Sequence, residues 1–165
     1  MERLIHTIPP IWDENSRVLI LGSFPSVKSR ESEFFYGHPQ NRFWPLIARL
    51  TDSAVPVTVE EKKALLIKNR IALWDVAASC EIKGSSDSSI RSVIANDITP
   101  ILQKASIAAT FTNGNKSAEL YKRYVEPKIN IKATTLPSTS PANARMSLDG
   151  LFEVWNTAIS DILNK

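Results

Sequence analysis

Four short aliphatic runs, each closed by polar or turn residues, constrain this chain more than any other feature. They lie at residues 18–21, 71–73, 107–111 and 131–136. Apolar runs of this length without alternation fit strands buried on both faces. Helical patterns separate or follow them at Phe43–Leu50, Val59–Lys68, residues 98–104, residues 116–125 and Leu148–Leu163. Thr58 with Glu61 three residues on reads as a capping box, and Ser147 is placed to cap the last helix. In that helix Leu148, Leu151, Trp155, Ile159 and Ile162 recur at spacings of three and four and make one apolar face. Strands alternating with helices predict an α/β fold, a parallel sheet with helices on both faces, in one domain over residues 1–165. Ligands of such sheets bind beyond the C-terminal strand ends. The segments to inspect are therefore 22–25, 74–80, 112–115 and 137–145.

Several classes are set aside by what the chain lacks. Its single cysteine, Cys80, allows no disulfide framework and no zinc or iron–sulfur cage built from several cysteines. No metal and no cofactor is expected. No run of about 18 apolar residues is present to span a membrane. The start, MERLIHTIPPIW, lacks the basic stretch, apolar run and cleavage site of a signal peptide, so a cytoplasmic location is expected. The formal charge of +3 and pI near 9.1 permit a polyanionic partner and fit an ordinary solvated surface equally well.

The strand-end segments are unusual for plain loops. Gly22, Ser23, Phe24, Pro25 and Ser26 form a tight turn with little bulk, whose backbone N–H groups either face an anion or simply leave the strand. Next comes FFYGHPQNRFW, five aromatics beside His38, Gln40, Asn41 and Arg42. Aromatic faces stack on a nucleobase, and amide or imidazole groups read its edge. Phe43 and Trp44 read individually as core residues of the following helix, and a lone His38 suits a structural hydrogen bond as well as catalysis. Asp75 is a pocket carboxylate or a turn residue. Asn113 either reads a base or caps a helix, and Gly114 supplies φ > 0 or close packing. In LPSTSPANARMS, Ser138, Ser140, Asn143 and Arg145 can hydrogen-bond phosphate oxygens, or the segment is an elaborate helix start.

With GSFPS and YGHPQNRFW at the first strand end and PSTSPAN at the fourth, the chain resembles the uracil-DNA glycosylase superfamily along nearly its whole length and in order. LWDVAASCEIKGSSD and FTNGNKS give it the flavour of the hypoxanthine-DNA glycosylase branch. The resemblance implies a three-layer αβα sandwich with a four-stranded parallel sheet, order 2-1-3-4. It also implies flipping of a deaminated base out of DNA and hydrolysis of the deoxyinosine N-glycosidic bond by a monomer. One departure matters: Phe24 stands where the uracil-removing branches carry the Asp or Asn that positions water. In the hypoxanthine branch the catalytic amide is that of the HPxNxFW run, Asn41 here. The expected base pocket is then Gly22, Ser23, Phe24, Pro25, Tyr36, His38, Asp75 and Asn113. Ser26, Ser138, Ser140, Pro141, Asn143 and Arg145 are expected on the DNA. The alternatives are a uracil or mismatched-thymine glycosylase, a DNA-binding module without catalysis, and a small-molecule hydrolase. For the last, neither Ser138 nor Cys80 has an identifiable base partner, since His6 and His38 are the only histidines.

Overall fold

The computed structural model describes residues 3–6 and 8–164. In chain order the elements are β1 (Arg3–Ile5), β2 (Val18–Gly22), α1 (Val27–Ser32), α2 (Phe43–Leu50), α3 (Val59–Lys68), β3 (Ile71–Asp75) and β4 (Ala77–Glu81). They continue with β5 (Arg91–Ala95), α4 (Thr99–Lys104), β6 (Ala109–Asn113), α5 (Asn115–Tyr124), α6 (Glu126–Ile129), β7 (Thr134–Leu136) and α7 (Leu148–Leu163). The main sheet is parallel in the order β3-β2-β6-β7, the expected 2-1-3-4.

Strand β2 is buried along its whole length and shows why its run is apolar without a break. Val18 and Ile20 enter the core layer shared with α2, α3 and α7, while Leu19 and Leu21 enter the opposite layer with α4 and α5. A central parallel strand buries both faces, so both parities must be apolar. Phe43, Leu46, Leu66, Trp155 and Ile159 fill the first layer, and Ile101, Leu120 and Tyr121 the second. The caps form as expected. Thr58 Oγ1 accepts the Glu61 N–H at 3.1 Å while Glu61 answers to the Thr58 N–H, and Ser147 Oγ accepts the Gly150 N–H at 3.1 Å.

Several elements depart from the sequence reading. The third strand begins at Ala109 rather than Ile107, and the fourth is only Thr134–Leu136, because residues 131–133 run outside the sheet with Ile131 exposed. A second, antiparallel sheet, β1-β4-β5, packs on the α4–α5 side. Segment 74–80 is therefore no open strand-end loop: after Asp75 the chain turns directly into β4. Helix α1 sits inside the first strand-end segment, capped by Ser26, whose Oγ accepts the Ser29 N–H at 3.2 Å. No helix among the described residues is long and apolar enough to cross a membrane.

Candidate active site

A cavity of about 310 Å³ opens beyond the C-terminal ends of β2, β3 and β6, where the α/β rule places it. Its floor is Asp75, the last residue of β3, brought beside Gly22 by the parallel register. Gly22 is required there. A Cβ at that position would fall inside van der Waals contact of Asp75 Oδ1 and 2.9 Å from the Tyr36 hydroxyl.

Asp75 is buried and held by His6. The imidazole Nδ1 accepts the Ile8 N–H at 3.0 Å, so the ring proton resides on Nε2, which donates to Asp75 Oδ2 at 2.7 Å. The His6 ring packs edge-on against Phe24, with centroids 6.0 Å apart, and beside Phe35. Phe24 and Phe35 line the cavity.

Tyr36 makes the opposite wall. Its backbone is left-handed, φ 53°, a conformation that costs a bulky residue about 1 kcal/mol or more and marks an over-determined site. The ring stacks on Phe43 at 4.1 Å and 20°. Loss of water around the phenol, reinforced by the Asp75 carboxylate, pushes its pKa far above the usual tyrosine value. The hydroxyl therefore stays protonated and can donate a hydrogen bond.

A polar chain runs from this phenol to Asn41. Asn113 Nδ2 donates to the Tyr36 hydroxyl at 3.1 Å and to Thr139 Oγ1 at 3.0 Å, while Asn113 Oδ1 accepts the Thr139 N–H at 3.1 Å. Thr139 Oγ1 in turn donates to Asn41 Oδ1 at 2.8 Å. The same Asn41 oxygen accepts the Phe43 N–H at 2.9 Å, at the start of α2. Both lone pairs of the Asn41 carbonyl are thus occupied, and its NH₂ is the group left to act in the cavity. Asn113 serves this network rather than capping α5, whose N-cap position is Gly114 and which has no side-chain cap.

The other expected residues divide. Ser23, Pro25 and His38 line the cavity. His38 Nδ1 accepts the Gln40 N–H at 3.1 Å, so it also has a structural duty. Ser26, Ser138, Ser140 and Pro141, expected on the DNA, line the same cavity. Ser26 is also engaged as the α1 cap. Ser138 Oγ and Ser140 Oγ accept the N–H groups of Ser140 and Ala142, which leaves their own protons free to donate. Asn143 and Arg145 lie outside the base cavity, in an adjoining groove that also takes in Lys116.

Sequence reading did not single out His6, Phe35, Arg42, Asp87 or Thr139. Arg42 turns inward and clasps the fourth-strand loop through carbonyls. Its guanidinium donates to Ser140 O at 2.7 Å, to Asn143 O at 2.9 Å and to Met146 O. Its backbone N–H donates to Thr139 O at 3.0 Å. The two motifs read apart in sequence are thus one unit. Among the described residues no group of three or more His, Cys, Asp or Glu side chains could hold a metal ion.

The uracil DNA glycosylase superfamily model matches residues 9–159, from before the first strand of the parallel sheet to the last helix. The chain belongs to that superfamily. Within it, this chain is similar to a hypoxanthine DNA glycosylase of Methanosarcina acetivorans, 35% identical over 144 residues that cover 84% of this chain and 88% of the relative. It is also similar to a hypoxanthine DNA glycosylase of Methanosarcina barkeri, 32% identical over 139 residues, covering 83% and 87%. Among solved structures, a solution NMR structure of a candidate uracil DNA glycosylase from Methanosarcina acetivorans aligns with a TM-score of 0.80. It shares 33% identity and covers 96% of this chain and 97% of the other. Phe24 is buried in the cavity wall and offers no side-chain oxygen there.

Proposed function

We propose that this chain is a monofunctional DNA glycosylase that hydrolyses the N-glycosidic bond of deoxyinosine, releasing hypoxanthine and leaving an abasic site. The observation that carries this reading is the cavity's pairing of an acceptor with a donor. Asp75 offers carboxylate oxygen at the floor, and Asn41 offers amide N–H groups from the wall. Deamination of adenine converts an unprotonated N1 and an amino group into N1–H and a carbonyl. A carboxylate accepts N1–H and meets the lone pair of adenine N1 with repulsion, so the floor favours the deaminated base. Phe24, Phe35 and Tyr36 give the flipped base apolar faces.

Asn41 stabilises the leaving base. With its carbonyl occupied it cannot take a proton from water, but its N–H groups can donate to the base as negative charge grows there. The Tyr36 hydroxyl adds a second donor. The DNA phosphates favour the cationic sugar that develops as the bond opens.

A single-turnover assay on duplexes carrying deoxyinosine, deoxyuridine, deoxyxanthosine or a G·T mismatch tests this reading. Deoxyinosine is expected to be cut fastest. Deoxyuridine presents the same N–H and carbonyl pair, so weaker uracil release is compatible with the floor. Tight DNA binding with no release from any substrate would overturn the reading in favour of a binding module. Gly22→Ala is expected to push Asp75 and the Tyr36 hydroxyl from their places. A misplacement near 1 Å can cost about 100-fold in rate. A Gly22→Ala protein cutting deoxyinosine at the wild-type rate would show that the floor is not built this tightly.

A further inference from the structure

N-glycosidic hydrolysis needs an oxygen that can hold the attacking water and take its proton, and most groups around the cavity are unsuited. Phe24 has no side-chain oxygen. Both lone pairs of Asn41 Oδ1 are occupied. The Tyr36 phenol remains protonated, and Ser23 Oγ donates to Asp87 Oδ1 at 3.1 Å. His38 Nδ1 is taken by the Gln40 N–H, which leaves Nε2 as a donor in the neutral ring. Asp75 sits at the floor, tied to His6 and matched to the far edge of the base. Asp87, on the loop between β4 and β5, is different. Its second carboxylate oxygen makes no hydrogen bond within 3.5 Å among the described residues.

Position strengthens the case. Asp87 lies on the seam between two cavities, lining both the base cavity and the adjoining groove with Lys116, Asn143 and Arg145. A nucleotide with its base in the first and its phosphates in the second has its sugar at that seam. Among the described residues, Asp87 is the only carboxylate lining both. Its loop is latched in place: Ser85 Oγ accepts the Val27 N–H at 2.8 Å, and Arg30 donates to Gly84 O at 2.9 Å.

We infer that Asp87 binds the attacking water at the sugar and accepts its proton, the task that the Asp or Asn of the first motif cannot perform here because Phe24 replaces it. This rests on the glycosylase reading above. The water oxygen bonds to C1′ as the C1′–N9 bond breaks, and that electron pair leaves on the base, where Asn41 donates. The water's proton passes to Asp87 and then, through solvent, to the departed hypoxanthine. Asp87 is exposed at the seam, but the protein packed around it withdraws solvent from the carboxyl and raises it above its usual value. The Ser23 hydroxyl and Lys116 oppose that rise, and Asp75 adds to it. A raised pKa makes the ionised carboxylate a better proton acceptor. Excision should therefore fall as pH drops through that raised value. Asp87 is faced by Ser23 from the end of β2, Asp75 and Tyr36 from the cavity, and Lys116 from α5.

The test is Asp87→Asn and Asp87→Glu in single-turnover excision of deoxyinosine across pH. DNA affinity is measured in parallel with duplexes carrying a non-cleavable 2′-fluoro deoxyinosine analogue. Asp87→Asn is expected to lose about 100-fold in rate, the lower range for a positioned base. It should also lose the acidic limb of the pH profile while DNA affinity stays equal or rises. Asp87→Glu is expected to recover part of the rate. An Asp87→Asn rate within about threefold of wild type, or a loss fully accounted for by weaker DNA binding, overturns the inference. In either case an active wild-type enzyme leaves the glycosylase reading standing. A wild type that releases no base from any substrate removes both.

Discussion

Asn41→Ala is expected to slow single-turnover release of hypoxanthine by about 100- to 1,000-fold, the usual consequence of removing one preorganised donor from a developing anion. DNA affinity should change little, because Asn41 lines the cavity and not the adjoining groove. Alanine has a second effect. It strands the Phe43 N–H and the Thr139 hydroxyl that the Asn41 oxygen now serves. Leaving such groups without partners costs about 1–3 kcal/mol each when buried, so the melting temperature should also fall. Asn41→Asp separates the two effects. Aspartate keeps an oxygen for both donors and retains the fold, but it replaces the amide N–H groups with a second acceptor. It is expected to melt near the wild-type temperature and to be as inactive as the alanine variant. An Asn41→Asp enzyme at wild-type rate would show that the amide donors play no part.

The parallel sheet was legible because a central strand has no choice of composition. Residues 18–21 must be apolar at every position to bury two faces. The helices flanking it carry caps and one-sided apolar spacing that act locally. The second sheet was hidden for the opposite reason. Strand β5 is mostly exposed, β4 is short and pairs with β5 through shifts in register, and β1 has three residues. What stabilises them is pairing across the chain, which no window of sequence contains.

The site divides along the same line. Asn41, Tyr36 and Gly22 stand in segments whose residue types already suggest a base pocket. His6 lies 69 residues from Asp75, and nothing near it in sequence signals the contact. Among three consecutive hydroxyl residues, sequence cannot say that Thr139 is the one fully buried and wired to Asn41 while Ser138 and Ser140 stay partly exposed. Asp87, set among serines, has the composition of a solvent loop. Only the folding of that loop against α1 brings its carboxylate to the seam.

Arg42→Ala is expected to have the largest effect on stability of any substitution outside the apolar core. The side chain bridges two motifs about 100 residues apart by donating to backbone carbonyls of Ser140, Asn143 and Met146. Hydrogen bonds from a charged group contribute about 1.5–3 kcal/mol each and do not add fully when shared by one side chain. A total of roughly 2–4 kcal/mol corresponds to about 5–15 °C in melting temperature for a domain of this size. The backbone bond from the Arg42 N–H to Thr139 O survives the substitution. The start of the loop should therefore stay near Asn41 while its distal part, through Asn143 and Arg145, loosens. That part lines the groove assigned to DNA phosphates. Weaker DNA binding and a smaller dependence on salt are then expected together, because fewer phosphates are neutralised. Arg42→Lys keeps the charge but cannot fork to carbonyls that point from different directions, so it should rescue little. If Arg42→Lys restored both melting temperature and salt dependence, charge alone would account for the residue. The clasp between the two motifs would then have to be assigned to the backbone contact with Thr139.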